Sequence, residues 1–206
     1  MQNLVWMAGG SAMRRIAPAM TALGEPRHTH PTPTLLQSAP LRRLSCSAAP
    51  GYTYSMTNAC FIRTAKASEQ KALEALQTRA ALNNPGDRAA LLANPDAIEL
   101  PLGQITAGWV FVAERHGTIA GFSAVLPRAD GEADLDGLFV EPKIWRSGVG
   151  RSLVEHSCTF ARGQGVGALF VLGNPHAEDF YEACGFEPQG TEQTRFGIGL
   201  VMRKAL

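Results

Sequence analysis

The sequence predicts an α+β fold: a mixed, mostly antiparallel sheet flanked by helices, behind an N-terminal extension that reads as disordered. Three observations carry this. The elements follow the order strand, helices, three strands, helix, strand, helix, two strands, which is not a regular alternation of strand and helix. The run Ala168–Leu172 (ALFVL) is short and continuously apolar, as a strand covered on both faces should be. Residues 1–55 hold five arginines, one acid and six of the thirteen prolines, with no sustained hydrophobic period.

The elements take up residues 56–206. Ala59–Thr64 alternates weakly and predicts a first strand. Ser68 is placed to cap a helix running through Leu82, with Leu73, Leu76 and Ala80 at helical spacing. Asn84-Pro85 reads as a cap followed by proline at the first helical position, opening a helix to Ala93, and Asn94-Pro95 repeats the signal. Leu100–Gly108 reads as a loop. Trp109–Arg115 and Thr118–Leu126 flank His116-Gly117, a tight-turn pair, and Ala133–Val140 completes an antiparallel meander. A glycine-containing loop, RSGVGR, then leads into a helix ending at Arg162. After Ala168–Leu172, Asn174-Pro175 opens a helix with Ala177, Phe180, Tyr181 and Cys184 on one face, stopped by Gly185. Thr191–Phe196 and Ile198–Lys204 form a closing hairpin around Gly197.

Composition narrows the function classes. The chain has 206 residues, 45% hydrophobic and 18% charged, enough for one domain with a real core. Net charge is +1, and the basic residues are dispersed, so neither a nucleic-acid partner nor a membrane one is expected. No apolar run approaches the ~18 residues of a membrane span. Cys46, Cys60, Cys158 and Cys184 lack metal-ligand spacing and suit a reduced, cytoplasmic chain. His116, His156 and His176 form no metal spacing either, so no metal is expected. The leader has three readings: an organelle-targeting peptide, a solvated tail, or over-extended translation ahead of a true start at Met56.

The chemistry concentrates in one strand–loop–helix segment. Gly148 and Gly150 allow close backbone approach, and a helix start offers unpaired N–H groups and a positive dipole end. That combination suits a phosphate or diphosphate. Arg146 and Arg151 add charge on either side. The plain alternative is an ordinary turn. A P-loop is excluded because no Gly-Lys-Ser/Thr is present, and GxGxxG is absent as well.

GLFVEPKIWRSGVGRSLVEH followed by LFVLGNPHAEDFYEACGF resembles the GNAT superfamily of acyl-CoA-dependent N-acyltransferases, from about Asn58 to the C-terminus. The resemblance implies that Arg146, Ser147, Gly148, Val149, Gly150 and Arg151 bind the diphosphate of acetyl-CoA. It implies that Leu138, Phe139 and Val140 run beside the pantetheine arm, and that Asn174 contacts the same co-substrate. It places Tyr181 at the general-acid position, protonating the departing thiolate. One departure stands out: with the glycines aligned, Trp145 occupies the family's Gln/Arg position and Arg146 comes one residue late.

The base is less defined. Asp134 and Asp136 share one strand face by the period of two, and Asp136, nearer the loop, is the candidate for taking the amine proton. A backbone N–H of Phe139 or Val140 is the candidate oxyanion donor. The expected activity is direct acetyl transfer from acetyl-CoA to a primary amine by a monomer or homodimer. An idle CoA-binding domain and a non-enzymatic interaction domain are the rivals. The early helices and the Leu100–Gly108 segment are expected to shape the acceptor site.

Overall fold

The computed structural model describes residues 60–206; the expectations for residues 1–55 and for a start at Met56 fall outside them. Seven strands, β1 (Phe61–Thr64), β2 (Val110–Arg115), β3 (Thr118–Pro127), β4 (Ala133–Val140), β5 (Ala168–Gly173), β6 (Glu187–Thr194) and β7 (Gly197–Ala205), make one sheet in the order β1-β2-β3-β4-β5-β7-β6. All neighbours are antiparallel except β4 and β5. The mixed, mostly antiparallel sheet is as predicted, and β1 extends the meander to four strands.

Helices cover both faces. On one lie α1 (Gln70–Asn83), α2 (Pro85–Ala93) and α3 (Leu102–Thr106); on the other lie α4 (Val149–Gly163) and α5 (Glu178–Ala183). Strand alternation divides the core accordingly. Val110, Val112, Phe122 and Phe139 pack with Leu73, Leu76 and Ala80 of α1. Phe111, Leu135, Leu138 and Val140 pack with Val149, Leu153 and Val154 of α4. The buried hydroxyls of Ser123 on β3 and Ser157 on α4 satisfy each other at 3.0 Å. Arg79 of α1 bonds Glu141, just past β4, at 2.9 Å.

Three local readings are corrected. Ser68 does not cap α1; it lies inside a tight turn, Ala67–Glu69, whose Glu69 carboxylate reaches back to the Lys66 N–H at 2.8 Å. The segment 100–108 is not all loop, because Leu102–Thr106 closes a helical turn and buries Gln104 and Ile105. The last hairpin turns at Arg195-Phe196, with Gly197 already at the start of β7 and β6 beginning at Glu187.

Two of the three Asn-Pro signals, at 84–85 and 174–175, behave as read, and they also meet; Asn94 precedes only a short turn, Pro95–Ala97, and its side chain does not cap it. The Asn84 side chain accepts from the Gly86 N–H at 3.0 Å, and the Asn174 side chain accepts from the His176 N–H at 2.9 Å. Asn174 Nδ2 then donates to Asp87 Oδ1 of α2 at 2.7 Å, in a fully buried contact. This bond ties α2 to the end of β5. Gly86 allows the approach: a Cβ there would lie 2.6 Å from Asn174 Nδ2 and 2.9 Å from the His176 ring. Burial pushes the Asp87 carboxyl up to about 7, against the opposing hydrogen bonds from Asn174 and Asn84.

Two outcomes follow from this clamp. Gly86→Ala lowers stability by about 1–3 kcal/mol, because Asn174 is held at both ends of its amide and cannot swing aside; an unchanged urea midpoint would show that the contact yields freely. The fold favours protonated Asp87, so its contribution is complete at acidic pH and is lost as pH rises through about 7. Asp87→Asn keeps an acceptor for Asn174 without the charge. The midpoint difference between wild type and this variant therefore grows in the variant's favour from about pH 4 to about pH 7 and is level above that. Parallel pH curves would contradict the buried carboxyl.

Candidate active site

β4 and β5 pair through only two residue pairs, Ala133↔Leu169 and Asp134↔Phe170. Beyond Asp134 the two strands share no ladder among the described residues. The Glu141 N–H bonds the Ala120 carbonyl of β3 at 2.9 Å. Antiparallel alternation therefore turns the backbone groups of Leu138 and Val140 away from β3, toward the opening. The Val140 carbonyl is taken by Trp145 Nε1 at 2.8 Å. The Val140 N–H, rather than that of Phe139, is thus the backbone donor facing the gap.

The glycine loop closes one end of the opening. Trp145, at the position where the family pattern has Gln or Arg, turns inward and packs between both core clusters. Its indole bond pins the loop to the end of β4, which explains why a large apolar residue is tolerated there. Arg146 follows with φ of 64°, and Gly148 has φ of 88° with open space beside its α-carbon. Arg146, Ser147, Gly148 and Arg151 are exposed, and Val149 is buried against α4's core face. The first helical bond runs from the Ser152 N–H to the Gly148 carbonyl at 3.0 Å. The N–H groups of Val149, Gly150 and Arg151 have no acceptor among the described residues. They form a donor set suited to a diphosphate.

On the β5 side, Tyr181 packs edge-on against Phe180 and Phe186, with its ring over Gly173. It is 6% exposed, and burial, with Cys184 and the Asp87 carboxylate adding to it, pushes its hydroxyl above the usual phenol range. The phenol is therefore a proton donor at neutral pH. Asp87 gave no sequence signal, since an acid in the first turn of a helix is ordinarily a solvated one. Cys184 and Cys158 are buried, and burial raises both thiols, as inert core cysteines require.

Asp134 and Asp136 do share a face, but they serve differently. Asp134 bonds Arg128 at 3.0 Å. Asp136 is the extra residue of a β-bulge, because Ala124 pairs with Gly137 and Val125 with Leu135. The bulge delivers the Asp136 carboxylate, 7% exposed, to the wall of a cavity of about 180 Å³ on the α1 side of the sheet. Gln77, Gln104, Phe122 and Phe139 line the same cavity, and Arg195 and Phe196 of the β6–β7 turn complete it. Residues of α1 and of the 100–108 segment line this cavity, and the β6–β7 turn joins them because the sheet order brings it there. Among the described residues no cluster of His, Cys, Asp and Glu has metal-binding geometry, and no helix is long and apolar enough to cross a membrane.

An amino-acid acetyltransferase of Pseudomonas putida (strain GB-1) is 41% identical over 83 residues, 40% of this chain and 19% of the relative. One from Pseudomonas aeruginosa (strain LESB58) is 40% identical over the same length and shares. The chain thus spans about a fifth of the length of these curated relatives. In fold it is similar to the PaiA N-acetyltransferase of Thermoplasma acidophilum, solved in complex with coenzyme A (TM-score 0.60, 16% identity, 72% of this chain and 99% of that one). It is likewise similar to a ribosomal-protein-alanine N-acetyltransferase from Brucella melitensis (TM-score 0.53, 24% identity, 71% and 99%). Residues 71–186, over half of the chain, match the acetyltransferase (GNAT) family, and the protein belongs to that family.

Proposed function

We propose that the protein is an N-acetyltransferase that moves an acetyl group from acetyl-CoA directly to a primary amine. The observation that carries this reading is the opening between β4 and β5. The first amides of α4 lack helical acceptors, Tyr181 is buried at the end of β5, and Asp136 lines a cavity on the α1 side of the sheet. Family membership and the coenzyme A bound by the Thermoplasma fold relative support it.

The amides of Val149, Gly150 and Arg151 hold the diphosphate, with Gly148 giving it room and Arg146, Ser147 and Arg151 at its edge. Leu138 and Val140 offer backbone groups to the pantetheine arm, with Phe139 between them facing the opposite layer. The Val140 N–H stabilises the oxygen that becomes negative as the tetrahedral centre forms. Asp136 takes the proton of the incoming ammonium, directly or through a water, so that the neutral nitrogen attacks the thioester carbon. As the carbon–sulfur bond breaks, Tyr181 gives its hydroxyl proton to the sulfur; the nitrogen, now bonded to the acyl carbon, sheds its second proton, which restores the Tyr181 phenol, and Asp136 releases its own to solvent. Burial raises the phenol, but a thiolate released into the same dry opening is raised too, so the transfer stays matched. Asn174 acts through position: it holds the turn between β5 and Tyr181 against Asp87. No residue of the opening reads as an activated nucleophile, so transfer is direct.

Tyr181→Phe keeps the ring packing and removes the proton. It should lower kcat by about 10²–10⁴-fold while the Kd for acetyl-CoA, read by calorimetry, moves only a few-fold. Unchanged turnover would remove the acid role. Absence of turnover in the wild type with intact acetyl-CoA binding would favour an idle CoA-binding domain.

A further inference from the structure

Acetyl transfer as derived above gives one buried acid no task for its charge. Asp87 of α2 is 2% exposed, and so is Asn174, whose amide donates to Asp87 Oδ1 at 2.7 Å. The other oxygen, Oδ2, is buried and has no hydrogen-bond partner among the described residues. A charged oxygen shut away from both water and donors is strongly unfavourable, and protonation removes that charge. Packing fixes the acid in place, since Gly86 leaves no room for a Cβ beside Asn174 Nδ2, 2.6 Å away.

Asp87 thereby holds the seat of Tyr181. Asn174 follows Gly173, and a Cβ on Gly173 would lie 3.1 Å from Tyr181 Cε2. The Asn174 side chain also caps the turn Pro175–Ala177, which runs straight into α5, the helix of Tyr181. One amide therefore fixes both the strand end beneath the phenol ring and the start of its helix. Charge reaches the phenol as well. Burial pushes the Asp87 carboxyl up to about 7, and its ionised form raises the Tyr181 hydroxyl further. A weaker acid is a poorer donor to the departing sulfur, and a second negative charge in the same dry region opposes the thiolate itself. The groups around Asp87 do not offset this. Arg88 of α2 is exposed and bonds the Leu82 carbonyl at 3.2 Å. His176, in the turn after β5, is exposed, and burial keeps the Cys184 thiol at the end of α5 neutral.

We propose that Asp87 is a positioning residue for the acid step: through Asn174 it holds Tyr181 in place, and it does so in its neutral form, so that ionising it slows transfer whatever the amine. This rests on the acetyltransferase reading. It is separate from the effect of the clamp on folding, because here the rate of the folded enzyme changes. Asp87→Asn fixes the neutral state and keeps an acceptor for Asn174. Asp87→Ala removes the acceptor as well.

Resonances and rates of the full chain test it. In wild type, the NMR signals of the Asn174 side-chain amide and the Tyr181 ring should shift together with a midpoint of about pH 7. Asp87→Asn should abolish that step at both. With saturating acetyl-CoA and the fastest of L-glutamate, glycinamide and tyramine as the amine, released thiol gives kcat. The ratio of Asp87→Asn to wild-type kcat should rise about three- to ten-fold between about pH 5.5 and about pH 8.5, with the Kd for acetyl-CoA little moved. Groups common to both proteins cancel in this ratio. Asp87→Ala should turn over more slowly than Asp87→Asn at every pH, because its turn is released; if it does not fold, the Asn variant alone decides. A ratio that is flat with pH, or a Tyr181 ring shift that survives in Asp87→Asn, overturns the proposal and leaves the acetyltransferase reading standing. If acetyl-CoA neither raises the melting temperature nor supports thiol release with any of these amines, the acetyltransferase reading fails and the acid step goes with it.

Discussion

The site exists because two parallel strands stop pairing. β4 and β5 touch through two residue pairs and then separate, leaving backbone groups of Leu138 and Val140 without the ladder a continuous sheet would supply. Unpaired backbone in a protein interior is unfavourable unless something answers it. Here an extended pantetheine-like chain is the natural answer. The features that hold the opening apart are local and specific: the Trp145 indole on the Val140 carbonyl, the bulge at Asp136, and the Asn174–Asp87 bond at the end of β5.

Each wall is built by a different physical device. Helix geometry alone supplies the donor end, since the first amides of α4 have no carbonyl behind them. Burial keeps the Tyr181 phenol, the proposed acid, protonated. A one-residue insertion in β4 supplies the carboxylate of the cavity. Asp87 couples the two helical layers, and its buried carboxyl makes α2 part of the same unit as the turn before Tyr181.

Much of this was legible in the residues. The glycines at 148 and 150 ahead of a helix, and the Asn-Pro pairs at 84–85 and 174–175, act through local backbone rules, so a linear reading finds them. The apolar run Ala168–Leu172 likewise announced a covered strand. What was not legible depends on the third dimension. A bulge at Asp136 cannot be read from alternation, because Gly137 hides the slip in register. Gln77 looks like any polar residue on a helix until α1 is laid over the bulge. Arg195 and Phe196 reach the cavity only because β6 and β7 return beside β5. Asp87 meets Asn174 across 87 positions of sequence, with nothing local to mark either as a partner of the other.

The central claim is that the amides at the start of α4 and the gap-facing amides of β4 receive one extended ligand. Backbone amide resonances followed by NMR during titration with coenzyme A report on this directly. The largest changes are expected at Val149, Gly150 and Arg151, with a second group at Leu138 and Val140, and little along β1 and β2. Changes that spare α4's first turn, or that gather on another face of the sheet, would contradict it.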